Sequence, residues 1–152
     1  MRPQAASKKS RQKIAMNVSN GAAQPAHQRL TDLRNGLLRL HKILLESEQS
    51  TYERDVAKIT SRGQLLGLVM DDPWFAYLRE LSRLVCAIDE RLDAEEPATT
   101  GEAVRFIQQA RALLTPAESG RGFEKRYFEA LQRDPDVVLA HAAMLGVFAS
   151  IS

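Results

Sequence analysis

The chain is predicted to be all-α, a bundle of four-helix type with a short connecting helix, and three observations carry that expectation. Leu30, Leu33, Leu37, Leu40 and Leu44 alternate steps of three and four, the spacing of one face of a helix. Asp71-Asp72-Pro73-Trp74-Phe75 is a sharp helix start: Asp72 suits the cap, Pro73 the first helical position, and large aromatics follow at once. No stretch alternates apolar and polar residues with period two between hairpin turns, so a sheet is not expected.

The elements follow in order. The leucine stripe predicts a helix over about residues 28–58, with Arg34, Arg39, Lys42 and Glu46 largely off the stripe. Ser61 and Gln64 have capping-box spacing, which starts the short connecting helix over 62–70. From Pro73 to Leu92 one face collects Trp74, Leu78, Leu81, Val85, Ile88 and Leu92, while Arg79, Glu80, Arg83, Glu90 and Arg91 lie on the other. Trp74 and Phe75 are expected in the core and Tyr77 at its rim. Pro97 separates this helix from one over 100–114, whose start is signalled by Thr99 and Glu102. It is expected to bury Ala103, Phe106, Ile107, Ala110, Leu113 and Leu114. Thr115-Pro116-Ala117-Glu118 repeats a start signal, but Gly120 and Gly122 weaken any helix immediately after it. Phe123, Tyr127, Phe128 and Leu131 mark the final helical segment, over 121–148, broken at Asp134-Pro135.

At 152 residues, 44% hydrophobic and 26% charged, the chain has the size and composition of one globular domain. The net charge of +2 hides an asymmetry. Arg2, Lys8, Lys9, Arg11 and Lys13 lie within residues 1–27, which hold no acid. Beyond residue 27 the 19 acids outnumber the remaining bases. The expected organisation is a flexible basic tail over 1–27 and a single helical domain over 28–152. The tail reads as a solvated terminus rather than an arm for nucleic acid or anionic lipid, and a start at Met16 would remove most of it. No signal peptide is expected, because no apolar core follows the basic residues. The uncharged run 137–151, interrupted only by His141, falls short of the roughly 20 residues of a membrane helix. Cys86, the one cysteine, forms no internal disulfide, which suits the reducing cytosol, and small apolar neighbours suggest a packed, inert thiol.

Leu40-His41-Lys42-Ile43-Leu44-Leu45-Glu46, Tyr52-Glu53, Asp72-Pro73-Trp74-Phe75, Leu81-Ser82-Arg83-Leu84, Ile88-Asp89-Glu90 and Asp134-Pro135-Asp136 together resemble a family of small bacterial all-helical proteins. The resemblance covers about residues 30–145. It implies a helical domain of the bacterial cytosol and brings no activity or cofactor.

Four polar groups are candidates for chemistry. His41 and Glu48 fall nearly on one line of the first helix, His141 sits among Val137, Val138, Met144 and Leu145, and Asp89 lies beside Val85 and Leu92. Facing helices are a usual source of His and carboxylate metal ligands. Against a metal, the chain holds no Glu-x-x-His, His-x-x-x-His or His-Glu-x-x-His pattern, so no metal and no cofactor is expected. A hydrogen-bonded structural pair, such as His141 with Asp89 or Glu48, needs fewer coincidences. Arg121, Lys125, Arg126 and Arg133 interleave with Glu118, Glu124, Glu129 and Asp134 and read as a solvated, salt-bridged face.

The last helix has almost no polar face, so its outer side must be covered by something. Leu139 and Val147, with Tyr77, are therefore the candidate interaction surface, and a symmetric homodimer is the favoured assembly. The leading functional expectation is a non-enzymatic binding or protein-interaction module. The alternative is a small metal-dependent or ligand-handling enzyme using His41, Glu48, Asp89 and His141, which requires at least three of them to converge.

Overall fold

The computed structural model describes the backbone of residues 2–152 and the side chains of residues 25–152. The basic residues assigned to the tail, with Ile14 and Met16, lie outside the described side chains. Among the described residues every regular element is helical: α1 (Arg2–Asp55), α2 (Arg62–Asp71), a 3₁₀ turn (Pro73–Phe75), α3 (Leu78–Asp93), α4 (Thr100–Leu113), α5 (Phe123–Arg133) and α6 (Pro135–Ile151).

The leucine stripe makes α1 the centre of the molecule. Leu30, Leu33, Leu37, Leu40 and Leu44 are all at most 1% exposed. Against this stripe pack α3, α4, α5, α6 and the 3₁₀ turn, while α2 rests on the 3₁₀ turn and contributes no fully buried residue. Each leucine so buried is worth about 1.5–3 kcal/mol, so most of the adhesion between elements passes through this one helix. Opposite the stripe stand Leu78, Leu81, Val85 and Ile88 of α3, Ala103, Ile107 and Ala110 of α4, and Val137, Met144, Phe148 and Ile151 of α6.

Helix boundaries follow local chemistry. Thr99 and Glu102 form a complete, reciprocal capping box at the start of α4. At α2 only half of the expected box forms: Ser61 accepts from the Gln64 N–H, but the Gln64 side chain turns to the Thr60 N–H and hydroxyl. The helix expected over 73–92 is divided. Asp72 accepts from the Trp74 N–H, and i→i+3 bonds close a 3₁₀ turn before α3 begins at Leu78. In consequence Phe75 is fully buried, whereas Trp74 is half-buried, edge-on to Tyr52.

The Thr115–Glu118 start signal yields no helix. The chain instead turns at Gly122, whose φ of +66° is left-handed backbone suited to glycine, and enters α5. Asp134 then caps α6, with Pro135 at its first turn, and the bend between α5 and α6 is 119°. No single helix among the described residues is long and apolar enough to cross a membrane.

Candidate functional site

The four polar candidates are held apart, each by its own partner. Glu48 continues the buried line of α1 past Leu44 and is 0% exposed. Its Oε1 accepts from the Tyr77 hydroxyl at 2.7 Å and from the Arg133 guanidinium at 2.9 Å, and its Oε2 from Arg126 at 3.4 Å. Arg133 also donates to the Ser47 hydroxyl, and Arg126 to the Trp74 carbonyl while stacking over the Tyr77 ring. A carboxylate so buried needs paired cations to remain in place. The result is a clamp fixing the end of α1 to the 3₁₀ turn and to α5. Burial, reinforced by the negative charge of Glu48, pushes the Tyr77 phenol far above its ordinary range, so it acts as a neutral donor.

His41 turns to α3, where its Nε2 lies 2.9 Å from the Ser82 hydroxyl. That hydroxyl donates to the Leu78 carbonyl, so the ring supplies the Nε2–H. Asp89 pairs with Arg34 of α1 at 3.1 Å. The His141 Nδ1 lies 2.6 Å from the Tyr127 hydroxyl. Burial raises the phenol pKa and lowers that of both imidazoles, so Tyr127 donates to a neutral His141. Neither Asp89 nor Glu48 is the partner of His141, and among the described residues no three His, Cys, Asp or Glu side chains gather where a metal could sit.

Three further expectations are corrected. Tyr77 is 6% exposed because its hydroxyl is drawn in by Glu48, so it offers no external surface. Arg126 and Arg133 are not a solvated face but half-buried counter-ions. Their signal was present in the chain: they are seven residues apart, on one line of α5 beside Phe123, Tyr127 and Ala130. Cys86 is exposed, since α3 turns Val85 and Ile88 inward and leaves it on the opposite side.

The external feature is α6. Leu139 is 69% exposed, Leu145 53% and Val138 46%. Ala142, Ala143, Gly146 and Ala149 lie exposed among them, with Asp136 at the first turn and Ser150 near the last as polar side chains of that face. Val147 is half-buried at its edge. Between this face and α1 runs an open cleft of about 470 Å³, floored by Leu40, Ile43, Ala140 and Met144 and rimmed by Arg39, Lys42 and Asp136. Gly36 lets the two helices approach, because a Cβ there would stand 3.0 Å from Met144 Sδ and 3.3 Å from a Val147 methyl. Comparison with protein families, with curated proteins and with solved structures gives no match.

Proposed function

We propose that this chain is a non-enzymatic protein-interaction module of the bacterial cytosol. In this reading α1, α3, α4 and α6 form a bundle of four-helix type with α2 as the connecting helix, and the outer face of α6 is the binding surface. One observation carries it: α6 presents Val138, Leu139 and Leu145 to solvent, with small residues between them and polar side chains on that side at its two ends, Asp136 and Ser150. An outer helix ordinarily turns a charged or polar face outward, and a contiguous apolar patch on a folded surface marks a place where another molecule docks. The four polar candidates support the same reading, because each is satisfied by a structural partner and none shares a point with two others.

Photo-crosslinking tests it. With a benzophenone amino acid replacing Leu139 or Leu145, illumination of cells should trap a discrete protein adduct. The same probe replacing exposed Gln132 of α5 should trap none. The absence of any adduct at both α6 positions would remove the interaction reading.

A further inference from the structure

Resting on the reading of α6 as a binding face, we propose that its occupant is a second copy of this chain. The two copies meet antiparallel about a two-fold axis, with Asp32 of each facing Arg39 and Lys42 of the other.

The register between α1 and α6 shows why. Arg29 donates from Nε to the Ile151 carbonyl at 2.6 Å, Gly36 lies against Met144 and Val147, Leu40 and Ile43 share the cleft with Leu139 and Ala140, and Ser47 sits beside Asp134 and Asp136. Each step forward along α1 is thus a step back along α6, so every side chain on the α1 edge has a known level beside the apolar face. That edge is a single helical line, Asp32, Gly36, Arg39, Ile43 and Glu46 at steps of four, three, four and three, with Lys42 adjoining.

The charges along this line are not symmetric. One turn beyond Arg29 stands Asp32, whose side-chain partner is the exposed Gln28 of its own helix. The positive stretch of the line is Arg39, which has no ion-pair partner among the described residues, and Lys42, which reaches Glu46 only at 4.0 Å with both groups well exposed; Asp136 of α6 shares the cleft with them without an ion pair to either, and the line closes on Glu46. Such an edge is complementary to itself when inverted. A two-fold axis centred on the small residues Ala142, Ala143 and Gly146, where two helices can come closest, performs that inversion. It carries Asp32 of one copy to the level of Arg39 and Lys42 of the other. The same operation sets Asp136, at the first turn of α6, opposite Arg29 and the last turn of the other α6, where a positive group already sits on the Ile151 carbonyl. An isologous contact needs this self-complementarity: apolar in the middle, with opposite charges meeting at both ends.

The test uses the full chain and two variants, Asp32→Lys and the double variant Arg39→Glu with Lys42→Glu, in sedimentation equilibrium. The unsubstituted chain should show twice the 17.0 kDa monomer mass. Each variant alone should dissociate at least about ten-fold more readily, since both ends of its interface then bring like charges together. Mixing the two variants should restore the dimer. At one end of the mixed pair the introduced lysine meets the two introduced glutamates, and at the other the native Asp32 meets the native Arg39 and Lys42, so both ends join opposite charges. Circular dichroism of these surface variants should match that of the unsubstituted chain. A monomer at about 100 μM overturns the proposal. So does a mixture no tighter than its components. In either case a crosslinked adduct of a different protein at Leu139 leaves the interaction reading standing, whereas a dimer that survives Leu139→Glu while showing no charge coupling removes both.

Discussion

Glu48 is the one acidic side chain among the described residues that is fully enclosed, and its replacement separates a structural clamp from a chemical group. Glu48→Ala strips the Tyr77 hydroxyl of its acceptor and leaves two arginines without their counter-ion. Arg126 and Arg133 are 31% and 26% exposed and can turn part of their charge to water. The expected loss is therefore about 2–4 kcal/mol, at the lower side of that for breaking a wholly buried pair, and urea denaturation measures it. The candidate residues themselves were legible in the sequence, because His41, Glu48 and His141 each interrupt or adjoin an apolar stripe. Their partners were not. The groups that satisfy Glu48 come from 29, 78 and 85 residues away, and helical periodicity says which face a residue takes but not which helix covers it.

At the scale of elements, the sequence was most readable where a start signal preceded a long apolar stripe, as at Thr99 before α4 and Asp134 before α6. It was least readable where backbone conformation alone decided. Asp72-Pro73 opens a 3₁₀ turn rather than α3 itself, because the cap bond to Trp74 and the i→i+3 closures finish that turn before Leu78. The closeness of α1 and α6 was equally hidden, since a glycine within a helical pattern gives no hint of what it faces. Gly36 supplies the test. Gly36→Leu would drive a branched side chain into Met144 and Val147, and a loss of about 1–3 kcal/mol is expected from the overpacking. Gly36→Ala should change stability little, because Met144 can give way and alanine favours the helix by about 1 kcal/mol over glycine. Chemical denaturation of both variants reads the difference.

For the whole molecule, the two imidazoles set an acid limit. Burial holds the folded pKa of His41 and of His141 below the ordinary 6.5. The unfolded chain takes up those protons first, so stability should be complete above pH 6.5 and fall as the pH drops through it. Thermal unfolding across pH 5–8 should show this descent, and His41→Gln with His141→Gln should flatten it. A second descent belongs to Glu102, whose carboxylate the Arg91 guanidinium and the Thr99 N–H hold down to about 2 from an ordinary 4.5. That contribution is present above pH 4.5 and disappears only in strong acid, so the histidine variants should leave it untouched. The arrangement around α1 also fixes an order of events during synthesis. The central helix leaves the ribosome before the elements that pack on it, and the residues that seal its flank, Met144, Phe148 and Ile151, are translated about a hundred residues after its leucine stripe, on the order of ten seconds later at ordinary elongation rates. Throughout that interval the nascent leucine face has no native cover on the α6 side, and whatever shelters it must be a temporary guest rather than part of the molecule.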